Sequence, residues 1–255
     1  MKILRSLALC ISTFSRVPVP KPRWQDDNLA YVLAALPVVG VFSGLALWGW
    51  CAVSAALGFG APLFASGLTL VPLAVSGGIH LDGFADTADA LASHAPPEKK
   101  REILHDPRCG AFAVIAVGAY LLLYFGVCTA FAPNGRTALA LGLVQILSRC
   151  AGSFASLCFP SSGAGDMLDM FKTPAGRGAA GICAAIFAAA GAAMVLLFPL
   201  PGAAALAACA LCTVYMYFMS KKEFGGMSGD LAGWLIQVGE LAMLAAFLLA
   251  GKAAV

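Results

Sequence analysis

Residues 61–89 read A-P-L-F-A-S-G-L-T-L-V-P-L-A-V-S-G-G-I-H-L-D-G-F-A-D-T-A-D, an apolar segment followed directly by three carboxylates. The apolar part, Ala61–Ile79, is long enough to cross about 30 Å of hydrocarbon as a helix. Asp82, Asp86 and Asp89 follow at i, i+4 and i+7, which on a helix places them within an arc of roughly 60°. The stretch therefore predicts a membrane helix that ends in an acidic helical face.

The composition of the whole chain is that of a membrane protein. Of its 255 residues, 60% are hydrophobic and 11% are charged, whereas a soluble domain has about 25% charged residues. Apolar segments recur, several of them rich in Ala and Gly, which allow helices to pack closely in lipid. The predicted spans are about Ala30–Leu57, Ala61–Ile79, Ala111–Phe131, Thr137–Phe159, Ala179–Phe198, Ala203–Met219 and Leu231–Ala250. The predicted fold is all-α, a polytopic helical bundle of about seven transmembrane helices in which residues 1–255 form a single integral membrane domain.

The N-terminal segment is predicted to lie along the membrane surface. Ile3–Phe14 is amphipathic, and the prolines of Val17–Pro22 end any helix there. Its short apolar run, Ser6–Ile11, lacks the cleavage site of a signal peptide. The nine cysteines lie mostly alone in apolar runs, so we expect them to pack between helices rather than to form disulfides or bind metal.

The charges fall on one side of the predicted bundle. With seven spans, residues 1–29, 80–110, 159–178 and 220–230 and the end of the fourth span share a side, which then carries 14 of the 16 basic and 12 of the 13 acidic residues. Lys and Arg accumulate in cytoplasmic loops. The topology therefore predicts a multi-pass protein whose catalytic loops and active site face the cytoplasm.

The three aspartates are the candidate metal ligands. Like charges on one helical face repel, and a divalent cation removes that repulsion. Oxygen-only ligands favour Mg²⁺ or Mn²⁺, and Mg²⁺ is usually held by a few carboxylates and substrate phosphates. A solvated acidic helix start is the alternative interpretation of Asp82, Asp86 and Asp89.

Three arginines are candidate phosphate ligands. Arg101 and Arg108 follow the acidic stretch, and a phosphate that bridges metal and guanidinium suits their position. Arg149 lies at the edge of an apolar span, where an arginine suggests function, although it can also snorkel to the interface. Lys99 and Lys100 resemble an ordinary basic run that contacts lipid head groups.

A glycine-rich stretch opens the last span. Gly225, Gly226 and Gly229 precede a helix, an arrangement that exposes backbone N–H groups to an anion. Asp230 either caps that helix or joins the metal site. Glu240 lies deep in the span, where an ionisable group is functional or paired. The loop 161–172 is also Gly/Ser-rich and acidic.

These motifs resemble the cobalamin synthase family of adenosylcobinamide-GDP ribazoletransferases. The resemblance extends over almost the whole chain, and its matching stretches are Phe14–Pro20, Gly77–Leu91, Arg101–Phe112, Ser148–Arg149 and Gly225–Glu240. The resemblance implies that adenosylcobinamide-GDP reacts with α-ribazole or its 5′-phosphate and that GMP leaves. It also implies Mg²⁺ as cofactor and residence in the bacterial inner membrane.

This chemistry assigns roles to the candidate residues. Asp82, Asp86 and Asp89 would hold one or two Mg²⁺ ions, and the arginines would neutralise the remaining phosphate charge. Asp89 and His80 are the two candidates for the general base. We expect the substrates and the lipid bilayer as partners and no nucleic acid; a homo-oligomer stays open.

Two other classes of protein share some of these features. A CDP-alcohol phosphotransferase also uses aspartates on membrane helices, but its D-G-x-x-A-R string is not met, because Asp86 and Thr87 stand where its alanine and arginine would be. A cation transporter would place carboxylates near the midplane and often has inverted repeats. Here the acids gather at one face, and we find no convincing repeat.

Overall fold

The chain is described by a computed structural model that covers residues 2–20, 29–163 and 167–253, without the side chains of residues 2, 167, 169 and 173–177. In these residues the structure is helical, and Ser161 and Met227 form an isolated β-bridge. The helices are α1 (Lys2–Phe14), a 3-10 turn (Leu33–Ala35), α2 (Leu36–Leu57), α3 (Ala61–Ser76), α4 (Ile79–Ala92), α5 (Pro97–Leu104), α6 (Ala111–Cys128), α7 (Gly135–Cys158), α8 (Met167–Leu197), α9 (Pro199–Phe224) and α10 (Gly229–Ala253).

The all-α membrane architecture is confirmed. Six segments are long and apolar enough to span a membrane, and α3 with α4 forms a bent pair that makes seven if it counts as one span. The outer surface carries bare aliphatic side chains, with Leu122 74% and Leu196 81% exposed. A soluble protein rarely exposes such apolar area. Lipid is therefore the natural surrounding of these helices.

Helix α7 is the centre of the bundle. It packs against α2, α8 and α10, and it is the most buried of the candidate spans. Its contact with α2 depends on small residues, since a Cβ atom on Gly44 would lie 3.0 Å from the Cα of Gly142. Such close backbone approach supplies much of the packing between helices in lipid.

The turn between α3 and α4 sets the position of the acidic helix. Gly77 and Gly78 both have positive φ, 68° and 84°, and α4 leaves α3 at an angle of 96°. The predicted span Ala61–Ile79 therefore ends earlier, at Ser76, because two left-handed residues interrupt the helix. Helix α4 does not continue the direction of α3, and with 14 residues and three carboxylates it is not by itself a candidate span.

Candidate active site

The acidic face predicted on α4 is present. Asp82 is exposed, Asp86 and Asp89 are half-buried, and the opposite face of the helix is buried through Phe84 and Thr87. The buried face packs on α6 and α10. The bundle therefore fixes α4 by its apolar side and leaves the carboxylates on the open side.

The three carboxylates influence one another. Partial burial, and then the negative charges of Asp82 and Asp89, raise the pKa of Asp86 to about 6. Like charges and desolvation both disfavour the ionised form. Near neutral pH, a bound cation would relieve this repulsion.

The first turn of α10 lies directly against α4. A Cβ atom on Gly83 would be 2.8 Å from both the Cα and the carbonyl oxygen of Asp230, so only glycine permits this approach. The capping role considered for Asp230 belongs instead to Ser228, whose hydroxyl accepts the N–H of Leu231 at 3.3 Å. Asp230 thus stands beside the acidic helix, half-exposed, without serving as the cap.

The loop before α6 meets the other end of the acidic face. The backbone N–H of Ala113 donates to Asp89 at 3.3 Å, and the carboxylate of Asp89 fills the space that a side chain on Gly110 would need. Arg108 is 86% exposed and forms an ion pair with Asp106 at 2.8 Å. Hydrogen bonds from Arg108 lower the pKa of Asp106 to about 2. Arg108 therefore extends from a loop that touches Asp89, with its guanidinium open to solvent.

The glycines of the second predicted anion site have another role. The N–H groups of Gly225 and Gly226 point to the carbonyl of Ser220, and Gly226 packs tightly on the backbone of Ser161. Gly225, with φ 74°, ends α9 in the left-handed conformation. These two amides are already engaged, so the predicted anion cradle does not hold for them. Gly229 lies exposed at the start of α10, next to Asp230.

Helix α5 docks on the end of α9. Arg101 donates to the carbonyl of Phe224 at 2.9 Å and lies 3.6 Å from Glu98. Lys100 is 5% exposed and pairs with Glu223, so it does not face lipid head groups as its basic run suggests. Arg101, predicted as a phosphate ligand, is therefore engaged in holding α5 to α9.

Arg149 does not reach the surface of the bundle. It is 2% exposed and forms an ion pair with Glu240, with further hydrogen bonds to Gln145 at 2.7 Å and Ser148 at 3.0 Å. A buried charge needs such partners. The predicted phosphate contact of Arg149 is replaced by a pairing between α7 and α10, and neither snorkelling nor exposure occurs.

His80 is also enclosed. It is 4% exposed, its Nε2 has no hydrogen-bond partner among the described residues, and its ring stacks on Phe14 with centroids 6.3 Å apart. The carbonyl of His80 lies against Gly233 of α10. Of the two candidate bases, Asp89 is therefore the one that lies on the open face.

The carboxylates of α4 suit a shared metal site only in part. Among the described residues, no three His, Cys, Asp or Glu side chains are placed closely enough to hold a metal ion between them. Mg²⁺ is commonly held by one or two carboxylates while substrate phosphates and waters complete its shell. Burial and the charges of Asp82 and Asp89 raise the pKa of Asp86, and a bound cation would offset both effects. Asp82 and Asp86 are thus compatible with Mg²⁺ bound together with a phosphate.

Comparison with known proteins assigns the chain to a family. The family model for cobalamin-5-phosphate synthase matches residues 6–248. The chain belongs to this family. Adenosylcobinamide-GDP ribazoletransferase of Lachnoclostridium phytofermentans is 30% identical over 237 residues, 92% of this chain and 90% of its own length. The enzymes of the same name from Pseudomonas savastanoi pv. phaseolicola and Mesorhizobium japonicum are 33% identical over 235 residues (90% and 91%) and 32% identical over 248 residues (95% and 92%). No solved structure matches.

Family membership extends over all the elements that meet at the acidic face. The matched residues include α4, the loop before α6 and the start of α10. The loop 161–172 is described only outside residues 164–166. One cation was missed: Arg16, which lies against Gly77, received no role from the sequence. Its only signal was its place in the family-like stretch Phe14–Pro20.

Proposed function

We propose that this chain is an enzyme that joins adenosylcobinamide-GDP to α-ribazole or α-ribazole 5′-phosphate, giving adenosylcobalamin or its 5′-phosphate and GMP. The observation that carries the proposal is the family match over residues 6–248. It includes every helix that packs around the acidic face of α4. The transferase relatives share about 30% identity over almost their whole length, which favours this function over a CDP-alcohol phosphotransferase or a cation transporter.

The reaction is a phosphoryl-type transfer at a pyrophosphate. A ribazole hydroxyl oxygen attacks the phosphorus attached to cobinamide, the bond from that phosphorus to the bridging oxygen breaks, and GMP leaves with the bridging oxygen. The hydroxyl proton passes to a base. Such reactions depend mainly on positioning and charge neutralisation, which an open acidic face with neighbouring cations provides.

The three aspartates of α4 and the neighbouring Arg108 would have different roles in this reaction. Asp82 and Asp86 would hold Mg²⁺, which when bound neutralises the charge of the pyrophosphate and of the departing GMP. Asp89, oriented by the N–H of Ala113, takes the hydroxyl proton. Arg108, on the loop that touches Asp89, offers a guanidinium to the phosphate charge.

The membrane setting suits the two kinds of substrate. The corrinoid is bulky and amphipathic, whereas ribazole and GMP are polar. An acidic helix outside the spans lets the apolar body lie against the bilayer while the pyrophosphate reaches the metal. We place this face on the cytoplasmic side of a bacterial inner membrane, because that side carries the basic loops.

The test is release of GMP by the purified protein. Adenosylcobinamide-GDP with α-ribazole and Mg²⁺ should yield GMP and adenosylcobalamin, and chelation of Mg²⁺ should stop the reaction. Asp82→Asn should abolish turnover, whereas Glu102→Gln, which removes a charge from an exposed pair on α5, should not. Absence of GMP release by a monodisperse wild-type protein would refute the proposal, as would equal activity of Asp82→Asn.

A further inference from the structure

Two clefts meet at the turn between α3 and α4. The first, about 590 Å³, is lined by Asp82 on one side and Val117 of α6 on the other, with Gly77 and Gly78 at its end. The second, about 420 Å³, is lined by the end of α1 and the segment that follows it. Gly77 and Ile79 belong to both. The two clefts therefore adjoin at Gly77 and Ile79, and together they form the groove between Asp82 and the N-terminal segment.

Arg16 lies in the second cleft. Its Nε would be 2.8 Å from a Cβ atom on Gly77, and its own backbone N–H donates to the carbonyl of Val75 at 2.8 Å. Because Gly77 also has φ 68°, the side chain of Arg16 rests on a position that only glycine fills well. Among the residues that the structure describes, the guanidinium of Arg16 forms no ion pair with a carboxylate.

A second hydrogen-bond donor lines the same cleft. Thr13 Oγ1 is buried and has no hydrogen-bond partner in the part of the chain that the structure describes. The neighbouring hydroxyls are different: Ser12 donates its proton to the carbonyl of Leu9 at 3.0 Å, and Ser15 donates to the carbonyl of Ile11 at 2.7 Å. Among the described residues, the side-chain donors of this cleft that have no hydrogen-bond partner are therefore Arg16 and Thr13.

We propose that Arg16 and Thr13 form a phosphate subsite that shares one ligand with the acidic face at Asp82. Adjoining clefts with the carboxylate of Asp82 in one and the guanidinium of Arg16 in the other suit a phosphorylated group, which a cation would hold on one side and arginine on the other. Two of the three arginines predicted from sequence are engaged elsewhere, Arg149 with Glu240 and Arg101 with the carbonyl of Phe224.

The ligand is a phosphate or pyrophosphate group. That it belongs to adenosylcobinamide-GDP rests on the proposed function, whereas the phosphate chemistry rests on the groove alone. A phospholipid head group has the same chemistry and is the other source. The shared lining of the two clefts favours the substrate, because a pyrophosphate held near Asp82 would lie in the cleft next to that of Arg16.

Binding of magnesium pyrophosphate to the full-length protein in a maltoside detergent tests the subsite by calorimetry. Arg16→Gln should weaken binding by about tenfold or more, as loss of a charge-assisted hydrogen bond predicts. Thr13→Val, which keeps the branched shape, should weaken it by about threefold. Arg5→Gln is the matched control, since Arg5 is exposed on the same α1 and lies outside both clefts; its binding should equal that of wild type.

The outcomes separate the subsite from the proposed function. Equal pyrophosphate binding by wild type and Arg16→Gln, or no binding by wild type, overturns the subsite even if GMP release proceeds. Binding that depends on Arg16 in a protein that never releases GMP upholds the subsite and overturns the function. Phosphatidylglycerol retained through purification in an Arg16-dependent manner, with pyrophosphate binding unaffected, would assign the groove to lipid and overturn the substrate role.

Discussion

At the scale of single residues, Asp86 is the carboxyl whose ionisation the fold opposes. Its pKa of about 6 reflects partial burial and the charges of Asp82 and Asp89. A carboxyl whose pKa is higher in the folded than in the unfolded protein destabilises the fold once it is ionised, and this cost is largest above the folded pKa. Metal binding and protonation therefore compete for the same carboxylate.

This competition predicts a pH-dependent effect of Mg²⁺ on stability. Added Mg²⁺ should raise the melting temperature of the purified protein more at pH 7.5 than at pH 5, because protons occupy Asp86 below pH 6. Asp86→Asn should stabilise the Mg²⁺-free protein at pH 7.5 and should largely remove the effect of Mg²⁺. Glu98→Gln on exposed α5 is the control. An Mg²⁺ effect that is identical at both pH values would contradict the assignment.

Gly110 permits the position of Asp89, and this predicts the result of a second substitution. A methyl group at residue 110 would occupy the place of the Asp89 carboxylate, so Gly110→Ala should turn Asp89 away from the site. Turnover should fall on the order of a hundredfold, because displacement of a catalytic group by about 1 Å has an effect of that size. The melting temperature should change little, because the flexible side chain of Asp89 can move aside.

The matched control lies eight residues along the chain. Gly118, in α6, has nothing within 4 Å of the position where a Cβ atom would lie, so Gly118→Ala should leave GMP release at the wild-type rate. If Gly110→Ala is as active as Gly118→Ala, then the orientation of Asp89 does not matter for the reaction.

At the scale of elements, α7 and α10 are joined through polar groups in an apolar bundle. Arg149 and Glu240 form an ion pair, and Gln145 donates a hydrogen bond to Glu240 at 3.0 Å. Three residues before Glu240 on α10, Gln237 accepts a hydrogen bond from Tyr120 of α6 at 2.7 Å. In hydrocarbon, each of these groups would be costly alone. The network therefore fixes the register of α6, α7 and α10, and α6 and α10 are the helices against which α4 packs.

The pair predicts unequal effects of single and double substitutions. Glu240→Leu should destabilise the bundle by about 3–5 kcal/mol, because it leaves the Arg149 charge buried without its partner. Arg149→Met together with Glu240→Leu should recover most of that loss, as measured by thermal unfolding in detergent. The double variant should also release GMP. A stable but inactive double variant would restore the phosphate-binding role that the sequence suggested for Arg149.

Helices could be predicted from this sequence more securely than the partners of its charges. Hydropathy located the spans because length and apolar content are local properties, and i, i+4, i+7 spacing placed Asp82, Asp86 and Asp89 on one face. Arg149 was misassigned because its partner, Glu240, lies 91 residues away. Two helices must be packed before that contact exists. Local spacing could not predict it.

Local sequence patterns were also insufficient to predict the roles of the glycines and the turns. The glycines at 225 and 226 follow the pattern of an anion-binding loop, yet their amides complete the end of α9 and the contact with Ser161. The 96° turn at Gly77 and Gly78 was hidden in an apolar run, because two glycines in sequence do not reveal which φ values they adopt. That turn brings Arg16 into the groove beside Asp82.

At the scale of the whole molecule, the contacts gather the charged loops at one end of the bundle. The start of α10 touches α4, α5 docks on the end of α9, and the loop before α6 touches Asp89. These are the segments that the seven-span topology places on one side. A site assembled from all of them faces a single compartment, so its orientation decides where substrates must arrive.

Orientation is predicted by the distribution of basic residues and can be measured with two new cysteines in a background without native cysteines. Ser93 and Thr129 are both exposed and lie beyond opposite ends of α6, Ala111–Cys128. In spheroplasts, a membrane-impermeant maleimide should label Thr129→Cys at once and Ser93→Cys only after permeabilisation, since residues 80–110 carry the basic side that stays in the cytoplasm. GMP release by both variants would show that each is folded. The reverse labelling pattern would move the acidic face to the outside and contradict a cytoplasmic active site.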